Sequence, residues 1–187
     1  MRIFYALAHD LILLSRNQLN SSYMTLTPDQ AKEKVLSLLS EVNRPGIDKL
    51  IEFMNTSSYF TSARCYGHHR CDHGLLMHSL EVLDVMLKCN LFNLSRESII
   101  LVALCHDLGK ARMHGHKVGT GDHGARSAYI LEMCGVELTE AERAAIKYHH
   151  GRYIESVTNP LKGLLNTGDC RSTGLNKRGV KYSFTAI

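Results

Sequence analysis

Ile99-Ile100-Leu101-Val102-Ala103-Leu104 forms an unbroken apolar run that leads straight into Cys105-His106-Asp107-Leu108-Gly109-Lys110. A surface helix keeps one polar face, so a stretch apolar on all sides belongs at the centre of a helical domain. The run predicts a buried helix from Arg96, capped by Ser95, to about Lys110. It also carries His106 and Asp107 into the interior, where a carboxylate beside a histidine needs a counter-charge. A divalent cation supplies one. Lys110, one helical turn beyond His106, supplies another, as partner of Asp107 or as a cation at a helix C-terminus.

The flanking sequence is helical throughout. Thr27-Pro28-Asp29-Gln30 is a capping box with proline in the first turn, opening a helix to about Ser40. Asn43-Arg44-Pro45-Gly46 breaks it, and a short helix follows to about Met54. Residues 59–74 are polar, aromatic and histidine-rich without clean periodicity, which predicts a loop. Leu76, Leu80, Leu83 and Leu87 then share one stripe of a helix over 75–89. A glycine-rich loop over 111–122 precedes a helix from His123 to Gly135. Thr139-Glu140-Ala141-Glu142, a second capping box, opens a helix ending at His149-His150-Gly151. Asn159-Pro160 marks a turn before a last short helix, Leu161 to about Cys170, and a loose basic tail. No stretch alternates as a strand does. The expected fold is all-α.

At 187 residues with 44% hydrophobic and 21% charged side chains, the chain fits one core-forming soluble domain. A net charge of +4 tolerates an anionic substrate without demanding nucleic acid. Six cysteines form no CxxC pair, which argues against a zinc ribbon and for reduced thiols in the cytoplasm. The apolar start is interrupted by His9-Asp10 and lacks a small-residue cleavage pattern, so export is not expected. No segment reaches the roughly 18 apolar residues of a membrane span.

Eleven histidines are an excess, and most fall between His68 and His150. His78 lies inside an otherwise apolar helix, and Asp169 follows the apolar turn Leu164-Leu165. Each alone reads as a hydrogen-bonded core histidine or a helix-end aspartate. Together with His106-Asp107 they would need several unrelated buried partners, or one shared cation. His9-Asp10, outside any such company, reads as a surface or frayed-helix pair.

His78, His106-Asp107 and Asp169 resemble, in order and spacing, the H…HD…D signature of the HD-domain metal-dependent phosphohydrolases. Leu108-Gly109-Lys110 resembles that family's continuation of the HD pair. Gly74-Leu75-Leu76-Met77-His78-Ser79 resembles the run that opens its first metal-binding helix. Gly121-Asp122-His123-Gly124-Ala125 and Tyr148-His149-His150-Gly151 resemble segments of members that hold two metals. The resemblance implies an HD-domain helical bundle over 59–172, a helical extension over 1–58 and a basic, flexible tail over 173–187.

It implies His78, His106, Asp107 and Asp169 as metal ligands, with His123 and His149 on a second ion. His150 either joins that ion or faces substrate. Asp107 would bridge the ions and orient the attacking water, while Lys110 would stabilise phosphate charge or pair with Asp107. His68, His69, His73, His114 and His116 are expected to face solvent or substrate. Nitrogen and oxygen ligands do not choose among Mn, Fe, Co, Ni, Zn and Mg, as one ion or two. The implied activity is hydrolysis of a phosphate ester of a nucleotide or related small molecule by metal-activated water. Tyr59-Phe60 through His69 also resembles HD-type 3′–5′ exoribonucleases acting on short nucleic acid, but the 58 preceding residues look helical and too short for an OB module. A non-catalytic nucleotide- or protein-binding HD module is the other alternative. No membrane partner is expected.

Overall fold

The computed structural model describes residues 26–62, 72–111, 122–150 and 158–177. His9-Asp10, His68, His69, His114, His116 and the tail beyond Lys177 lie outside the described residues. Seven α-helices are present among them: α1 (Pro28–Ser40), α2 (Ile47–Thr56), α3 (Gly74–Lys88), α4 (Arg96–Cys105), α5 (His123–Met133), α6 (Glu140–Lys147) and α7 (Pro160–Lys177). A 3-10 turn, Leu108–Lys110, follows α4, and no strand occurs among the described residues. None of the described helices is long and apolar enough to cross a membrane.

The chain enters its helices through local chemistry. Thr27 accepts the Gln30 N–H at 3.2 Å while Gln30 returns its side chain to the Thr27 N–H at 2.8 Å, a closed capping box. Thr139 and Glu142 repeat the arrangement at α6. Asn159 accepts the Lys162 N–H at 3.1 Å, one turn into α7. Each side chain satisfies an N–H that the first helical turn leaves unpaired, which contributes about 1 kcal/mol.

The centre of the bundle is the pair α3–α4. Ile99 to Cys105 are all fully buried, as an all-round apolar sequence requires. Twelve of the fifteen α3 residues are buried, so α3 is an interior helix although it carries His78, Ser79, Glu81 and Asp84. α1 and α7 pack on α3, α6 packs on α4, and α5 lies against α6 and the 3-10 turn. α1 and α2 contribute Val35, Leu38, Leu39, Leu50 and Met54 to the core, each buried side chain stabilising by about 1.5–3 kcal/mol.

Three boundaries differ from the sequence expectation. α4 stops at Cys105 rather than running to Lys110, and Asp107 takes φ −103°, ψ 9°, outside the helical region. The carbonyls freed there find side-chain donors. Tyr59 Oη reaches Leu104 O at 2.7 Å, His106 Nδ1 reaches Ala103 O at 2.9 Å, and Ser127 Oγ reaches His106 O at 2.7 Å. Burial pushes the Tyr59 phenol well up, so it stays protonated and donates. α6 ends at Lys147, leaving Tyr148–His150 in a turn. α7 runs on to Lys177, well past Cys170, because Ser172 is buried and hydrogen-bonded against α3. Residues 171–177, expected in or next to the tail, are helical.

Candidate metal centre

The break after α4 is what lets adjacent residues share a target. On a continuous helix His106 and Asp107 would point about 100° apart. With the helix ended, His106 Nε2 lies 3.4 Å from Asp107 Oδ2. His78 arrives from α3, its Nε2 3.3 Å from His106 Nε2 and 3.7 Å from Asp107 Oδ2. Asp169 arrives from α7, with Oδ1 3.2 Å from His78 Nε2. All four are buried.

The other oxygen of Asp107 faces a second group. Oδ1 lies 3.2 Å from His123 Nε2 and 3.5 Å from His149 Nε2. His123 and His149 approach within 3.1 Å through Nε2, and His150 Nε2 is 3.0 Å from His123 Nε2. His150 Nδ1 lies 3.8 Å from Asp169 Oδ2, so Asp169 also spans the two groups. The structure thus brings together His78, His106, Asp107, His123, His149, His150 and Asp169. Lys110 joins them as a cation on the carboxylate, its Nζ 2.6 Å from Asp107 Oδ2.

Two glycines make this convergence possible. A Cβ on Gly109 would collide with the His123 carbonyl and with Arg126 Cβ, so only glycine lets the 3-10 turn lie on the start of α5. A Cβ on Gly124 would meet the Lys147 and Ile146 carbonyls at 2.6 and 2.7 Å, so glycine also lets α5 lie on the end of α6. The first contact sets Asp107 beside His123. The second sets His123 beside His149.

Hydrogen bonding fixes which ring nitrogen is offered. His106 Nδ1 faces Ala103 O at 2.9 Å and His149 Nδ1 faces Ile146 O at 2.7 Å. A carbonyl only accepts, so both Nδ1 atoms carry the proton and both Nε2 atoms present lone pairs. His78 Nδ1 lies 2.9 Å from Ser172 Oγ, which gives its own proton to Glu81 Oε2 at 2.6 Å. His78 therefore also offers Nε2 as a lone pair. The Nε2 lone pairs of His78, His106 and His149 and the carboxylate oxygens packed 3.2–3.7 Å from them repel one another unless a cation lies among them. Two sets of side chains, His78–His106–Asp107 and Asp107–His123–His149–His150, have ligand atoms close enough to hold one ion each.

Burial alone would raise the Asp107 pKa, but the surrounding imidazoles of His106, His123 and His149 hold it well below the usual carboxylate range. Asp107 is an anion at neutral pH. His150 is 55% exposed at its side chain, yet shielding from bulk water and repulsion from His149 and His123 push its pKa down to about 4, only partly offset by Asp169 and Asp107. It is a neutral imidazole with a lone pair to give.

The family model for the HD domain matches residues 75–178, more than half of the 187-residue chain. The chain belongs to the HD-domain family. The matched HD segment holds every one of the converging residues. Neither curated proteins nor solved structures gave a match.

Within the HD domain, sequence reasoning missed several groups that build the centre. Ser127 is fully buried, takes the Gly109 N–H at 2.8 Å, and lies 2.7 and 2.8 Å from the His106 and His123 carbonyls. Ser172 and Glu81 orient His78. Outside the matched segment, Arg44 grips Glu142 through both terminal guanidinium nitrogens at 2.8 Å, anchoring α6, the helix just before the turn that carries His149. His73, expected to face solvent or substrate, instead sits just before α3 with Nδ1 2.7 Å from Phe60 O.

Proposed function

We propose that the HD domain is a metal-dependent phosphohydrolase that cleaves a phosphate ester of a nucleotide or related small molecule in the cytoplasm. One observation carries the reading: Asp107 directs Oδ2 toward His78 and His106, and Oδ1 toward His123 and His149. A carboxylate divided in this way fits two cations sharing it as a bridge. His78, His106 and Asp169 would complete one pole, and His123, His149 and His150 the other.

Divalent cations there would supply Lewis acidity, making water a competent nucleophile near neutral pH and neutralising phosphoryl charge. The remaining work belongs to the chain. Asp107, anionic and buried, accepts hydrogen bonds and orients the attacking water. Lys110 adds a fixed positive charge against Asp107 for a developing phosphate anion. The sealed α3–α4 side excludes solvent, which strengthens these interactions. His150 and the partly exposed His123 mark the side from which substrate enters.

The test is metal content of the purified protein, followed by turnover of p-nitrophenyl phosphate, bis(p-nitrophenyl) phosphate and a nucleotide panel with Mn²⁺. Bound divalent metal, with turnover abolished by Asp107→Ala, is the expected result. Protein that folds, binds a nucleotide or a short oligonucleotide and hydrolyses none of these esters is a binding module instead.

A further inference from the structure

Along α7, Leu161, Leu165, Gly168 and Ser172 recur at helical spacing, and the first three form a face of leucine and glycine against the bundle. Gly168 lies so close to α3 that a Cβ there would sit 3.0 Å from Val82. One turn further on, Ser172 holds a position at which packing alone calls for alanine or leucine, and it is fully buried. A buried hydroxyl is costly without partners. Here it has two, His78 Nδ1 at 2.9 Å and Glu81 Oε2 at 2.6 Å.

The chain of bonds runs in one direction. The Glu81 carboxylate accepts, so the single Ser172 proton points to it. Ser172 then has only lone pairs for His78, so His78 Nδ1 must carry the ring proton and Nε2 must be bare. Without the hydroxyl, His78 is released to its other tautomer. In that form Nε2–H faces Asp169 Oδ1 at 3.2 Å and His106 Nε2 at 3.3 Å and donates to them. A proton on Nε2 then occupies the lone pair that would bind a cation and ties His78 to its neighbours at this pole. His106 and His149 are exempt, because backbone carbonyls orient them.

We propose that Ser172 is a positioning residue which, backed by Glu81, holds His78 in the tautomer that keeps this pole open to a divalent cation. The inference rests on the metal-centre reading above, but its test separates the two. The ring ¹⁵N resonances of His78 are recorded in metal-free wild type, Ser172→Ala and Ser172→Thr. Co²⁺ affinity of each is measured by competition with a chelator, and thermal melting reports folding.

Wild type and Ser172→Thr should show Nδ1–H. Ser172→Ala should shift toward Nε2–H and bind Co²⁺ 10–100-fold more weakly, the usual effect of losing a group that orients a metal-ligating histidine. A folded Ser172→Ala that keeps Nδ1–H and wild-type affinity overturns the proposal. So does a folded Ser172→Thr that behaves like Ser172→Ala. If wild type takes up no Co²⁺, the metal-centre reading fails and the tautomers alone judge the role of Ser172. Should Ser172→Ala not fold, Glu81→Leu removes the terminal acceptor and carries the same expectation.

Discussion

Gly109 lies directly against the backbone carbonyl of His123, with no room for a Cβ between the 3-10 turn and α5. The contact is backbone against backbone, so neither side can yield by rotating a side chain. Gly109→Ala should push the turn away from α5, separate Asp107 from His123, and cost about 1–3 kcal/mol of stability as overpacking does. Urea denaturation and metal content check it. A variant of wild-type stability with full metal content would mean that the turn adapts.

Ser127 has one proton and three neighbours: the Gly109 N–H and the carbonyls of His106 and His123. Ser127→Ala leaves the buried Gly109 N–H without its acceptor. The expected loss is about 1–3 kcal/mol, with a fall in turnover because the carbonyls that carry His106 and His123 lose their tie. Calorimetry and p-nitrophenyl phosphate kinetics measure both.

Lys110 is the one site residue whose role activity can divide. Lys110→Met should leave metal content intact, since it removes a competitor for Asp107, and should slow hydrolysis by on the order of 10²-fold if the ammonium stabilises phosphate charge. Unchanged kcat with bound metal would make Lys110 only the counter-ion of Asp107.

Acid should weaken the fold through Glu142. Burial alone would raise its pKa, but hydrogen bonds from Arg44, Ser98 and the Thr139 backbone bring it down from 4.5 to about 2. The folded state thus binds fewer protons than the unfolded chain between those values. The stability contributed by Glu142 is whole above about pH 4.5 and is lost as pH falls toward 2. Arg44→Met should flatten this part of the stability–pH profile and cost about 3–5 kcal/mol at neutral pH, because it strands a buried carboxylate.

The two poles of the centre differ in access. His78 and His106 are fully buried, whereas His123 is partly exposed and His150 exposed. Chelation should therefore strip metal in two phases, with the pole held by His123, His149 and His150 emptied first. Stopped-flow release of Co²⁺ into a coloured chelator would register a single phase if the poles were equivalent.

Much of this was legible in the chain. Capping boxes at Thr27 and Thr139 are written within four residues, and so are the helix starts they fix. The buried character of α4 follows from its apolar run. The histidines and aspartates of the centre declare themselves by residue type. What could not be read is written across long separations. Ser172 sits 94 residues from His78 and Arg44 98 from Glu142, and each looks like an ordinary surface residue until the fold closes. The early end of α4 belongs to the same class, since its donors Tyr59 and Ser127 come from other parts of the chain. Gly109 and Gly124 are visible as glycines, but the carbonyls that forbid a side chain there are not.

Arg44 stands outside residues 75–178, the part of the chain by which the family is recognised. Excising that segment would carry away the guanidinium and leave Glu142 an ionised group sealed in the interior, one helix from His149. The fragment would keep every candidate metal ligand and lose the brace on which one of them rests. Inherited boundaries and folding boundaries do not coincide in this chain, and a shortened version meant to retain the centre has to begin before Arg44.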